Sequence, residues 1–105
     1  LYVEDCARFV VRAGQTDAGD GTVVNAGLGR DIAVKDLAKL VADPAHGGHG
    51  VGVRHVEHDH PQAEIPKLLC DNATAARVYG WRPEVSLEEG IRRTREWIAA
   101  NPGAL

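Results

Sequence analysis

The 105 residues are enough for one small domain, and 44% apolar with 26% charged residues is the composition of a globular rather than a disordered chain. A net charge of −3 at pH 7 argues against binding nucleic acid or an anionic membrane surface through bulk electrostatics. The cysteines, Cys6 and Cys70, are too few for a disulfide framework and suit the reducing cytoplasm, where we expect the protein to reside.

The N-terminal half predicts two helices separated by a short strand. Residues 4–13 carry apolar side chains at helical spacing, and this stripe is expected to face the core (Cys6, Phe9, Val10 and Ala13). After a glycine-rich loop, residues 22–26 are rich in β-branched side chains, as in a short strand. Residues 34–43 predict the second helix, which Pro44 ends. No apolar run approaches the roughly 18 residues of a membrane span, so we expect no membrane association.

The middle of the chain predicts two further strands and a third helix. Residues 51–56 alternate as in a strand, and residues 67–70 form a second apolar run. Asp71 or Asn72 is expected to cap the helix that follows and ends at Tyr79. A glycine then occupies the left-handed position of a Schellman motif.

A capping box opens the last predicted helix, because Ser86 and Glu89 have the S-x-x-E spacing. Gly90 lies inside this helix at a cost of about 1 kcal/mol relative to alanine, which suggests that another backbone passes close by. The order of elements is α, β, α, β, β, α, α. The sequence therefore predicts an α/β fold, a small domain of about four helices and a few short strands.

Histidines and carboxylates are concentrated in the stretch HVEHDH, residues 55–60. Both side-chain types are good ligands for zinc or nickel. On a strand, however, His58 and His60 share one face whereas His55 points to the other, so that only two ligands converge. A polar strand end is therefore favoured over a metal site.

The other candidate sites have structural interpretations that are favoured over functional ones. Residues 27–30 (GLGR) precede a helix, as a phosphate-binding turn does, but they match no nucleotide-binding loop, and a tight turn is favoured. Cys6 and Cys70 lie in apolar settings and are expected to be inert core thiols. From its residues alone, the chain has no identifiable catalytic or metal centre.

Three stretches, read together, resemble the C-terminal part of extended short-chain dehydrogenases. They are LYVEDCARFVV, VVNAGLGRDIAVKDLAKLV and HPQAEIPKLLCDNATAARVYGWRPEVSLEEGIRRTREWI, in this order over nearly the whole chain. The resemblance is to the NAD(P)-dependent nucleotide-sugar epimerases and dehydratases. It implies that residues 1–105 are the C-terminal substrate-binding lobe of a longer enzyme.

The resemblance also implies that the chemistry lies outside this chain. In the family, an N-terminal Rossmann domain carries the G-x-x-G-x-x-G dinucleotide loop and a catalytic Tyr-x-x-x-Lys pair, and neither pattern occurs in this sequence. We therefore expect NAD or NADP to bind that missing domain, and the chain alone to be inactive. Without its Rossmann partner, the apolar start of the chain (Leu1, Tyr2 and Val3) is expected to promote self-association.

A substrate-binding site follows from the same resemblance. Relatives hold the pyrophosphate of the nucleotide-sugar with an arginine in the stretch aligned with HPQAE, where this chain has His60, followed by Gln62. An asparagine or serine often begins the helix where this chain has Ala33. Arg30 is expected to supply the missing charge, which gives a predicted site of His60, Gln62 and Arg30. The alternative is a stand-alone module that binds a small anion with these residues, or a metal with the histidine cluster.

Overall fold

Four α-helices are the main regular elements of the computed structural model, which describes residues 1–57, 59, 62, 65 and 67–103. They are α1 (Val3–Gly14), α2 (Val34–Ala42), α3 (Ala73–Tyr79) and α4 (Leu87–Ala100), and a 3₁₀ turn over Pro44–His46 follows α2. The chain divides into two compact units, the first formed by Leu1–Asp31 with Leu69–Gly90 and the second by Ile32–Leu68 with Ile91–Leu105. No helix of the described part is long and apolar enough to cross a membrane.

The four predicted helices are confirmed, but the predicted strands are not. Residues 22–26, 51–56 and 67–70 are all described, and none of them forms a strand. High β-propensity reflects packing on a pleated, half-buried surface, and a strand exists only when a neighbour completes its hydrogen bonds. Here Val23 is 91% and Leu68 81% exposed, so these segments lack such a surface. The α/β class is thus confirmed in its helices only.

Aromatic side chains form the core of the first unit, where α1 contacts α3. The Phe9 ring packs edge-on against Tyr79 and Trp81, with ring centroids 5.6 and 5.3 Å apart. Trp81 is 2% exposed and Ala75 of α3 is fully buried, with Val85 completing the buried apolar set among the described residues. Edge-to-face contacts of this kind add about 0.5–1.5 kcal/mol each to the gain from burial.

The end of α3 has the predicted left-handed glycine, but not the hydrogen bonds of a Schellman motif. Gly80 has φ of 59°, and its N–H donates to the Ala76 carbonyl at 3.0 Å, as in the simpler αL cap. The Trp81 N–H donates to Ala75 at 3.3 Å, one residue before the Schellman acceptor. Arg12, which belongs to α1, donates to the Tyr79 and Gly80 carbonyls at 3.1 and 3.0 Å. This guanidinium satisfies carbonyls that a helix end leaves without partners, and so joins α1 to α3.

The predicted inward face of α1 is partly wrong. Phe9 and Ala13 are half-buried, but Cys6 and Val10 are exposed, and Asp5 is fully buried. Relative to the predicted orientation, α1 is rotated about its axis, because the Asp5 carboxylate has hydrogen-bond partners in the interior. Cys6 is therefore not the inert core thiol that its apolar setting suggested, because it is exposed.

Gly90 is buried in α4 because of a side chain rather than a second backbone. A Cβ added there would lie 3.4 Å from Cδ2 of Tyr2, whose ring covers the helix at this point. The expectation of a close neighbour is confirmed, but its nature differs from the predicted one. Tyr2 is consequently half-buried, unlike its neighbours Leu1 and Val3.

The second unit contains α2 and the turn that ends it. The Asp43 carboxylate accepts from the Ala45 N–H at 2.8 Å and opens the 3₁₀ turn. Gly48 then passes so close to α2 that an added Cβ would lie 2.3 Å from the Ala42 carbonyl oxygen. Any side chain at this position would clash with the helix backbone. The predicted helix end before Pro44 is confirmed to within one residue.

Candidate functional site

The Asp5 carboxylate is the anchor of the first unit. It is fully buried and accepts hydrogen bonds from the backbone N–H groups of Glu84, at 3.2 Å, and Val85, at 3.0 Å. The Asp5 carbonyl oxygen also accepts from the Trp81 indole at 3.1 Å. One residue of α1 thus fixes both ends of residues 81–85, which we call the corner.

Arg8 completes this network on the surface side. Its guanidinium donates to the Asp5 carboxylate one turn earlier and to Glu84 at 2.6 Å. A buried carboxylate is tolerated only when it is paired and hydrogen-bonded, and Asp5 meets both conditions. An acid in the first turn of a helix is explained by the helix dipole alone, so the sequence did not reveal this role. The available signal was the Asp5–Arg8 spacing together with an acid beside the apolar stripe.

The side chain of Asn72 holds the loop of residues 27–30. Its Oδ1 accepts from the Gly27 N–H at 2.9 Å, and its Nδ2 donates to the Gly27 carbonyl at 2.7 Å. Asp71, not Asn72, supplies the bond at the start of α3, because its Oδ1 accepts from the Ala73 N–H at 2.8 Å. The Cys70 side chain excludes any other residue at position 27, since a Cβ there would approach its Cβ to 2.7 Å.

Arg30 leaves this loop toward the start of α4. Gly29 has φ of 70°, in keeping with the predicted tight turn. The Arg30 guanidinium lies 3.2 Å from both carboxylate oxygens of Glu88, and both side chains are about half exposed. The pKa of Glu88 lies below its ordinary value of 4.5, chiefly because its own backbone N–H donates to the carboxylate, with Ser86 and Arg30 adding to the effect against partial desolvation.

This ion pair lies at the edge of a cavity of about 340 Å³, wholly within the first unit. Its walls come from the loop, the corner and the start of α4: Leu28, Arg30, Pro83, Glu84, Val85, Ser86 and Glu88. Two carboxylates and one guanidinium face this space. An anion would therefore bind here only by displacing Glu88 from Arg30.

The three predicted substrate-binding residues are not all described. Arg30 belongs to the first unit, Gln62 is exposed and belongs to the second, and His60 lies outside the described residues. The site of His60, Gln62 and Arg30 therefore stays a prediction. Ala33 is the N-cap residue of α2 and makes no side-chain capping hydrogen bond, because a methyl group has no acceptor.

The histidine cluster is described only in part. His55 and Glu57 are exposed, whereas His58 and His60 lie outside the described residues. Within the part of the chain that the structure covers, no group of three or more metal-ligating side chains comes together.

Comparison with known proteins relates the chain to a set of sugar-nucleotide enzymes, although no family model matches it. UDP-glucose 4-epimerase of Mycolicibacterium smegmatis is 32% identical over 100 residues, 93% of this chain and 30% of that protein. Probable GDP-L-fucose synthase 1 of Oryza sativa is 31% identical, over 96% of this chain and 29% of its own length. dTDP-L-rhamnose 4-epimerase of Burkholderia thailandensis is 26% identical over 94% of this chain.

A solved structure also matches the chain. The X-ray structure of Pal from Bacillus thuringiensis is 48% identical, with a TM-score of 0.83 over 95% of this chain and 30% of that one. The chain thus spans about 30% of the length of this structure and of the epimerase from Mycolicibacterium smegmatis. In the curated relatives the matched region is the C-terminal part.

Proposed function

Because the chain belongs to the nucleotide-sugar epimerases and dehydratases of the extended short-chain dehydrogenase family, as a stretch of their C-terminal part, we propose that it is their substrate-binding lobe. In this role it holds the nucleotide diphosphate against an N-terminal Rossmann domain. The observation that carries the proposal is the match over 93% of the chain to UDP-glucose 4-epimerase of Mycolicibacterium smegmatis. The names of the curated relatives support a nucleotide-sugar as the substrate.

Arg30 is the described residue best suited to the diphosphate. Its loop is fixed at one end by the Asn72 side chain, so that the guanidinium projects from a defined position. Its present partner, Glu88, is half exposed, and surface ion pairs of this kind contribute only about 0–1 kcal/mol. A diphosphate carries more charge than one carboxylate and would take the guanidinium in the bidentate geometry that arginine favours.

His60 and Gln62 complete the proposed site, on the strength of the family resemblance. His60 stands where relatives place an arginine, and a protonated imidazole would donate a charge-assisted hydrogen bond to phosphate. An ordinary imidazole gains its charge near pH 6.5, roughly, and a bound dianion favours the charged form. Diphosphate binding should therefore strengthen as the pH falls from about 7.5 to about 6.

The loop of residues 27–30 does not offer the Gly27 N–H to a dinucleotide. Both backbone groups of Gly27 are taken by Asn72, so its N–H is not free to meet a pyrophosphate. We therefore assign NAD or NADP, together with the proton and hydride transfers, to the part of the enzyme outside this chain.

Calorimetric titration of the native protein tests the proposal, with UDP, GDP and dTDP compared with their nucleosides. At least one diphosphate should bind, and its nucleoside should bind far more weakly. Arg30→Gln should weaken that binding about tenfold or more, as the loss of a charge-assisted hydrogen bond implies. His60→Ala should flatten its pH dependence.

Matched controls are Arg54→Gln and His49→Ala, which alter exposed residues of the second unit that the proposal does not use. Neither should change the affinity. If no diphosphate binds, or if Arg30→Gln and His60→Ala both bind as the unmodified protein does, the lobe does not hold the diphosphate as proposed.

A further inference from the structure

A second, larger cavity of about 760 Å³ opens on the first unit, beside the loop of residues 27–30. Its lining residues come from that loop, from α3 and from the corner: Leu28, Asp71, Asn72, Ala73, Ala76, Arg77, Arg82 and Pro83. This volume lies within the roughly 300–1,000 Å³ of typical small-molecule sites. Of the proposed diphosphate site, the described residues Arg30 and Gln62 do not line it.

Two arginines without a partner among the described residues face this cavity. Arg77 lies in the last turn of α3 and Arg82 in the corner, and both are exposed. The arginines at positions 8, 12 and 30 are, by contrast, bound to carboxylates or to carbonyl oxygens. Both guanidiniums line one cavity, and a bound anion would give each of them a charge-assisted hydrogen bond.

The remaining walls favour an organic ligand over a bare ion. Leu28, Ala76 and Pro83 give the cavity an apolar side against which a carbon skeleton can pack. Asp71 uses its Oδ1 for the Ala73 N–H, which leaves Oδ2 as an acceptor for a hydroxyl group. The Asn72 amide is occupied by Gly27 and acts as a wall only.

We propose that this cavity binds a phosphate monoester of a small polyhydroxylated molecule. The phosphate lies between Arg77 and Arg82, a hydroxyl donates to Asp71, and the carbon skeleton packs against Pro83. Such a ligand complements the three features that the walls present, namely positive charge, a hydrogen-bond acceptor and an apolar surface. This cavity shares Leu28 and Pro83 with the cavity at Arg30, but its charged residues are different ones.

Titration of the native protein with glucose 1-phosphate, with inorganic phosphate as the comparison, tests this site. Glucose 1-phosphate should bind, and inorganic phosphate should bind about tenfold more weakly because it lacks the carbon skeleton and its hydroxyl groups. Arg77→Gln and Arg82→Gln should each weaken glucose 1-phosphate binding by about five- to tenfold. Ala76→Leu should abolish it by filling the cavity while leaving both charges in place.

Two controls separate this site from the diphosphate site. Arg54→Gln removes an exposed arginine of the second unit, and Arg30→Gln removes the one at the other cavity. Both should bind glucose 1-phosphate as the unmodified protein does, whatever happens to UDP binding. The inference is overturned if the two cavity arginines can be replaced without loss of affinity. It is equally overturned if inorganic phosphate binds as tightly as the ester.

Discussion

Some residues of the first unit make long-range hydrogen bonds that the local sequence pattern does not indicate. Asp5 is the clearest case, because an acid in the first turn of a helix is adequately explained by the helix dipole. In the structure its carboxylate instead receives two backbone N–H groups of the corner and the Arg8 guanidinium. The corner is 76 or more residues away in sequence, so no local pattern could point to it.

Removal of the Asp5 carboxylate should destabilise the fold more than any surface substitution. In Asp5→Ala, the N–H groups of Glu84 and Val85 lose their acceptor, and we expect a loss of about 2–4 kcal/mol in the free energy of unfolding. Asp5→Asn should be intermediate, because the amide keeps one acceptor oxygen. Urea denaturation measures both, with the exposed Asp20→Ala as the control that should change little. Equal stability of Asp5→Ala and Asp20→Ala would contradict the anchoring role.

Glu88 gives a pH dependence whose sign is fixed by its lowered pKa. A carboxyl group with a depressed pKa in the folded state stabilises the fold above its ordinary value of 4.5, and this contribution is lost as the pH falls through the folded-state pKa. The melting temperature of Glu88→Gln should therefore fall less on acidification from about pH 5 to about pH 3 than that of the unmodified protein. Glu57→Gln, at an exposed position, is the matched control. Parallel curves for Glu88→Gln and the unmodified protein would rule out this contribution.

At the scale of elements, Asn72 connects α3 to the loop that carries Arg30. The neighbouring Asp71 accepts from the Ala73 N–H at the start of α3, which is a local hydrogen bond. Asn72 makes the long-range hydrogen bond to Gly27. Sequence reasoning left open which of the two caps the helix, because both residue types are good caps. The structure assigns the helix bond to Asp71 and the loop bonds to Asn72.

Hydrogen exchange can separate these two roles. Asn72→Ala should speed amide exchange at Gly27, whose N–H loses its acceptor, and lower stability by about 1–2 kcal/mol. Asp71→Ala should instead speed exchange at Ala73 and cost about 0.5–2 kcal/mol, the value for a lost cap. If Gly27 is equally protected in both variants, Asn72 does not hold the loop.

The elements that could be predicted from sequence are those whose signals are local. The left-handed glycine at Gly80 and the capping serine at Ser86 are chemical signals within a few residues, and the Ser86 Oγ accepts from the Glu89 N–H at 3.1 Å. Strands depend on partners elsewhere, and the valines of residues 22–26 carry no information about them. The inward face of α1 was predicted in part only, because apolar spacing cannot register a buried acid such as Asp5. The cavities at Arg30 and at Arg77 could not be predicted either, because their walls combine segments that are distant in sequence.

At the scale of the whole molecule, α1 presents an apolar face to solvent. Val3, Val10 and Val11 are exposed on this helix, while Phe9 and Asp5 occupy its other side. The prediction that the start of the chain leaves apolar surface uncovered now rests on this face rather than on Tyr2, which packs on Gly90. In the proposed enzyme, the Rossmann domain is the natural partner for such a face.

The isolated 105 residues should therefore self-associate. Light scattering after size exclusion should give a mass above that of the monomer, rising with concentration, because uncovered apolar surface promotes association. Val3→Lys with Val10→Lys should restore the monomer without loss of helix content. Val23→Lys, outside this face, should not. A clean monomer of the unmodified chain at high concentration would contradict the expectation.

The central claim is that these residues hold the nucleotide-sugar, and photoaffinity labelling tests it most directly. The native protein is irradiated with a photoreactive nucleotide-sugar, digested, and its labelled peptides are identified by mass spectrometry. Labelled peptides within residues 1–105 are predicted, in particular those with Arg30 or Gln62, and excess UDP should suppress the labelling. Labelling confined to peptides outside these 105 residues, and suppressed in the same way by UDP, would contradict the account.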